Sequence, residues 1–161
     1  MKILFLTAVL PIFTLSTFAQ SSSKNKAILK RFYKDVYRDW DMEVADELLS
    51  PDFYSHDWPK NGVKGPVAFR NYYKTFRKAI PDAQYEVKDL VAEDDRVVVR
   101  WEMRGTHKGD FPGIDVTPTG QSITLKGVAI YRLENEKIKE RWVISDVYGL
   151  LKEVQQATNQ K

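Results

Sequence analysis

The sequence predicts an α+β fold in which N-terminal helices pack in a strongly curved, mainly antiparallel sheet. Three observations carry this. Residues 24–80 repeat apolar side chains at helical spacing. Residues 83–146 switch to a period of two, broken by tight turns. Small residues recur on one face of those later strands, where a sheet bends or leaves space inside it.

The first residues lie outside that fold. MKILFLTAVLPIFTLSTFA carries one early lysine, an apolar run from Ile3 to Phe13, and small residues around Thr17 and Ala19. This is the plan of a secretory signal peptide over residues 1–19, cut between Ala19 and Gln20. The run is too short to span a bilayer comfortably and Pro11 interrupts it. The chain has no cysteine to carry a lipid. The expectation is an exported protein, periplasmic or secreted, with no stable membrane anchor after cleavage.

The 161 residues less these 19 leave 142, enough for one domain with one core. Without cysteines that domain depends on packing rather than disulfides. The 25 Lys and Arg are interspersed with 22 Asp and Glu, and no basic run is longer than a pair such as Arg77-Lys78. That is a solvated mixed surface, which excludes a nucleic-acid footprint.

Gln20 to Asn25 reads as a polar, disordered tether, and the domain as residues 26–156, with a polar tail over 157–161. In KNKAILKRFYKDVYRDW, Ile28, Phe32 and Val36 fall four apart with Leu29 and Tyr33 beside them, an amphipathic helix. Asp41 caps a second short helix bearing Ala45, Leu48 and Leu49, which Ser50-Pro51 stops. PDFYSHDWP is a short extended piece. Gly65-Pro66 opens a third helix, with Phe69, Tyr72, Tyr73, Phe76 and Ile80 on one face. The strands follow: QYEVKDLVAE, a turn at Asp94-Asp95, then RVVVRWEMRGTH. A long loop over 108–120 precedes SITLKGVAIYRLE, and Asn135-Glu136 turns the chain into KIKERWVISD. VYGLLKEVQQ closes the domain as a helix. The loop is longer than a hairpin needs, which suits a lid or a partner contact.

Strand alternation assigns faces. Val97, Val99, Trp101, Met103, Gly105 and His107 share the inner face of one strand. Ile123, Leu125, Gly127, Ala129, Tyr131 and Leu133 share that of the next. In the last strand the greasier alternate set is Ile138, Glu140, Trp142, Ile144 and Asp146, which places it inward. His107 and Asp146 thus end inner faces and point to a cavity. Asp is also a strong N-cap, so Asp146 equally reads as the cap of the helix that starts at Val147. The outer face carries Val98, Thr124, Val128, Ile130 and Val143 among Arg100, Arg104, Lys126 and Arg132.

VAEDDRVVVRWEMRGTHKGDF, followed by PTGQSITLKGVAIYRLENEKIKERWVISDVYGLL, resembles the SnoaL-like polyketide cyclase family, often labelled ester cyclases, of the NTF2-like superfamily. PDFYSHD and AIPD also match. The resemblance covers about residues 25–155 and implies an NTF2-like cone. It implies that Asp146 is the acid/base of an intramolecular ring closure and that His107 and His56 are pocket histidines. No metal or organic cofactor is implied. A metal set of His56, Asp57 and His107 would match no compact ligand spacing.

Acid/base chemistry next to a carbonyl needs a base and donors that stabilise the enolate. Asp146 and His107 are the expected catalytic residues. His56, Tyr72, Phe76, Trp101, Tyr131 and Trp142 are the expected ligand contacts. The expected activity is cofactor-independent and cyclase- or isomerase-like, on a small, mostly apolar carbonyl-type molecule. The alternatives are a non-catalytic small-molecule-binding protein and a dimerisation scaffold with a filled cone. The resemblance also implies a homodimer through the outer sheet face.

Overall fold

The computed structural model describes residues 15–58, 64–111 and 116–159. Helix α1 spans Leu15–Arg31, α2 Met42–Leu48, α3 Gly65–Ala79 and α4 Val147–Asn159. Strands β1 (Leu49–Ser55), β2 (Gln84–Glu93), β3 (Arg96–Thr106), β4 (Ser122–Glu134) and β5 (Lys137–Ser145) form one five-stranded sheet in the order β1-β5-β4-β3-β2. β2 to β5 are an antiparallel meander, and β1 joins the β5 edge in parallel. The mixed α+β class and the curved, unclosed sheet agree with the sequence reading.

Most local signals act as their chemistry dictates. The Asp41 carboxylate accepts from the backbone N–H groups of Glu43 and Val44 at 3.1 and 3.2 Å, capping α2. Gly65 has φ +80° and stands so close to the Pro51 carbonyl that a Cβ would come within 2.3 Å of it, so only glycine starts α3 here. Asn135 and Glu136 both take positive φ in the turn between β4 and β5.

Two expectations about the N-terminal region change. The stretch 20–25, expected as a disordered tether, lies within α1, and Asn25 donates to the Asp94 carbonyl at 3.0 Å. The expected signal peptide falls largely on residues 1–14, outside the described residues. Beyond Arg31 the helix widens into a π-helical turn, Phe32–Arg38. The wider turn buries Phe32, Tyr33, Val36 and Tyr37 together. That set keeps the one-residue and four-residue spacings of the helical stripe that precedes it.

β5 departs most from the sequence reading. Arg132 pairs with Glu140 but its neighbour Leu133 pairs with Ile138, so Lys139 is an extra residue, a β-bulge. Past the bulge the alternation inverts. Arg141, Val143 and Ser145 face the helices, whereas Trp142 and Ile144 face outward. Of the set expected inside, only Ile138 is: Ile144 is 80% exposed, while Arg141 is 2% exposed. Val143, expected outside, lines the interior. Polar contacts pin the bulge from without. Lys139 Nζ donates to Asp52 at 2.6 Å, and Glu140 accepts from Arg132. Lys139 and Ser50 hold the Asp52 carboxyl down at about 2.

The small residues of the inner face do not leave empty space. A Cβ on Gly105 would lie 2.3 Å from Ile80, and one on Gly127 would lie 2.3 Å from the Trp101 indole. Each glycine is a seat for a large side chain.

Candidate functional site

Between the helices and the inner sheet face lies a cavity of about 320 Å³. Its walls are mostly aromatic: Tyr72, Tyr73 and Phe76 from α3, Tyr85 from β2, Trp101 from β3, and Phe111 from the loop after β3. Leu125, Val143 and Leu150 complete the apolar lining. At its polar end stand Arg141, Asp57 and the hydroxyls of Tyr33, Tyr37, Tyr73 and Tyr131.

Arg141 organises this end. Its Nε donates to the Ser55 hydroxyl at 2.8 Å, and its Nη1 donates to Tyr37 at 2.7 Å and Tyr73 at 2.6 Å. Its Nη2 meets the Asp57 carboxylate at 3.3 and 3.5 Å. The guanidinium also lies over the Trp58 and Tyr73 rings, 5.8 and 5.7 Å from their centroids. A charge this buried is tolerated only when its donors are met. Burial disfavours the cation, but the phenolic oxygens and Asp57 more than offset it, so Arg141 stays protonated.

The charge also orders the hydroxyl protons. Tyr73 lies 3.2 Å from Tyr37, Tyr37 3.5 Å from Tyr131, and Tyr131 3.0 Å from Tyr33. Tyr37 and Tyr73 accept from Arg141, so their protons point away from it. Tyr73 donates to Tyr37, which leaves the Tyr37 proton for Tyr131, and between Tyr131 and Tyr33 either hydroxyl can donate. Four hydroxyls joined by three contacts leave one O–H proton over, on the Tyr131–Tyr33 pair that ends the row. Burial pushes all four phenols, and Tyr85, well above the ordinary tyrosine value, with the Arg141 charge opposing it. They act as neutral donors.

Of the expected site residues, Tyr72, Phe76, Trp101 and Tyr131 line the cavity. His56 and Trp142 do not. They stack on each other at 4.3 Å and 9°, and His56 Nε2 lies 2.9 Å from Glu140. Arg96 covers the Trp142 ring from 5.4 Å. Asp146 is exposed and lines a groove with the outward-facing Arg100, Lys126, Val128 and Ile144, not the cavity. Its Oδ1 accepts from the Gly149 N–H at 2.8 Å, so it caps α4.

His107 is fully buried and packs 4.8 Å from Phe111, one layer behind the cavity wall. Burial lowers its pKa, partly opposed by the Gly109 backbone and Asp110, and its Nε2 has no partner among the described residues. Among the described residues no three His, Asp or Glu side chains converge as metal ligands, so His56, Asp57 and His107 are not gathered.

Sequence reasoning missed Arg141, Asp57, Tyr33, Tyr37 and Tyr73 as site residues. The tyrosines carried a signal, since three phenols on two helical faces all need hydroxyl partners when buried. Arg141 carried none, because the bulge at Lys139 has no mark in the sequence.

Comparison with known proteins agrees with this architecture. The family model described as SnoaL-like polyketide cyclase matches residues 27–154. No curated protein matches the chain. Among solved structures, AclR from Streptomyces galilaeus, described as a candidate hydroxylase, is 32% identical with a TM-score of 0.69, covering 84% of this chain and 83% of its own. A candidate polyketide cyclase from Acidithiobacillus ferrooxidans is 30% identical with a TM-score of 0.71, covering 84% and 97%. IdmH from Streptomyces antibioticus, also a candidate polyketide cyclase, is 25% identical with a TM-score of 0.70, covering 81% and 98%. With its matched span, its inward-lined curved sheet and these relatives, the chain belongs to the SnoaL-like polyketide cyclase family.

Proposed function

We propose that the protein binds a small, mostly apolar carbonyl-type molecule in the cone and performs cofactor-independent acid/base chemistry of the cyclase or isomerase kind on it. One observation carries this: an aromatic cavity ends at a buried, charged Arg141 flanked by ordered hydroxyls. Apolar walls take up the carbon skeleton, and donors at one end fix an oxygen. An Arg and a row of neutral phenols fixed by packing suit an oxygen that gains negative charge during a reaction. The exposed position of Asp146 lends no support to the base role first expected of it.

Mass spectrometry of compounds that co-purify with the protein tests the binding. A Leu125→Trp variant fills the cavity from β4. The native protein should retain small molecules that this variant loses, and equal retention by both would remove the cavity as the site.

Export through residues 1–19 and a homodimer through the outer sheet face belong to the same proposal. Val98, Val128, Ile130 and Ile144 are exposed on that face. Cell fractionation tests the first. Sedimentation at micromolar concentration tests the second, with a monomer as the contrary result.

A further inference from the structure

We infer that Asp57 is the base of this site and that its substrate is a carbon acid, a carbonyl compound whose enolate forms against Arg141. The inference rests on the proposed cavity reading and deepens it. Among the described residues, Asp57 is the one carboxylate lining the cavity and Arg141 the one cation.

The four hydrogen-bond partners of Arg141 are held unequally. The contacts to Ser55, Tyr37 and Tyr73 are 2.6–2.8 Å, whereas those to Asp57 are 3.3 and 3.5 Å. The loosest edge of the guanidinium is therefore the one that faces the carboxylate. Arg141 is 2% exposed in its side chain and Asp57 28%, so the cation is fixed inside while the anion sits nearer the opening. Ser55 links the two, accepting from Arg141 Nε and donating to Asp57 Oδ1.

This pair is neutral before any ligand binds. A ligand that arrived already as an anion would place two negative charges beside one positive charge. A neutral carbon acid avoids that cost. The C–H bond next to its carbonyl breaks, the proton moves to an Asp57 Oδ, and the released pair forms the C=C bond of the enolate as the carbonyl π pair moves onto oxygen. The charge then rests on the ligand oxygen, against Arg141 Nη2. One negative charge has moved from Asp57 to the ligand, and the net charge of the pocket is unchanged. Preserved neutrality lowers the cost of the transfer in a low-dielectric site. Reversal returns the proton, whereas attack of the enolate carbon on a second carbonyl closes a ring: the C–C bond forms, that carbonyl's π pair moves onto its oxygen, and the alkoxide takes the proton from Asp57.

The test uses the whole mature protein with two probes, acetophenone and benzoate. In heavy water the native protein should exchange the acetophenone methyl protons for deuterium, read by NMR. Asp57→Asn preserves shape and should lower that exchange by about 10²–10⁴-fold. It should also tighten benzoate binding by at least about tenfold, because the competing anion is gone. Asp146→Asn should change neither readout, and melting curves establish that both variants are folded.

Exchange at the native rate in Asp57→Asn, or its loss in Asp146→Asn, overturns the assignment while leaving the cavity as a binding site. Failure of native protein to bind either probe overturns both readings.

Discussion

β4 and β5 lie side by side, and their faces behave oppositely. In β4 the alternate residues Ile123, Leu125, Ala129, Tyr131 and Leu133 are all buried, as alternation requires. In β5 the more apolar alternate set is mostly turned out, and a guanidinium occupies the interior. The difference comes from one residue. Lys139 interrupts the pairing, and every later side chain changes face. Hydrophobicity predicts a face only as long as the register is unbroken. Beyond a bulge, the buried set is decided by what the interior can satisfy. Here two phenols, a serine and a carboxylate satisfy an arginine.

Deleting Lys139 is the sharpest way to break this contrast. The bulge would close, Trp142 and Ile144 would turn inward, and Arg141 would lose its partners. A loss of about 5 kcal/mol or more is expected, enough to unfold a marginal domain. Denaturant titration measures it. Full retention of stability would mean that the bulge does not set the faces.

Arg141→Ala leaves the register intact but empties the polar end. Three hydroxyls and a carboxylate then lose their donor, and a void appears. A loss of about 2–4 kcal/mol is expected from the unmet polar groups and the cavity. The same change at Ile144, 80% exposed on the opposite face, should stay within about 0.5 kcal/mol.

Asp146 gives the smallest effect. Asp146→Asn keeps an N-cap for α4 and should shift stability by a few tenths of a kcal/mol, whereas Asp146→Ala should cost about 1 kcal/mol. Thermal melts read both. An Asn variant as damaged as the Ala variant would show that the charge, not the cap, is what α4 needs.

Most of the fold was legible in the sequence because its signals are local. The Asp41 cap, the Gly65-Pro66 start of α3 and the turns at Asp94 and Asn135 act through residues within a few positions of each other. The site was legible in half. Tyr72, Phe76, Trp101 and Tyr131 lie on periods that hold, so their inward position follows from counting. Arg141 lies past a bulge, an irregularity that shifts the count by one. Asp146 illustrates the converse. It ends a strand and starts a helix, and only the broken register shows which of those roles sets its direction.

The buried phenols also fix how the protein meets alkali. Five of its eight tyrosines, Tyr33, Tyr37, Tyr73, Tyr85 and Tyr131, are held neutral well above the ordinary value by burial. Their folded values are raised, so the stability they contribute is whole below the unfolded value near 10 and drains away as pH rises beyond it. Once the unfolded chain ionises all five, the loss approaches roughly 7 kcal/mol per pH unit. The domain should therefore release these phenolic protons in one abrupt step, together with its fold. Phenolate absorbance and circular dichroism should change at the same pH.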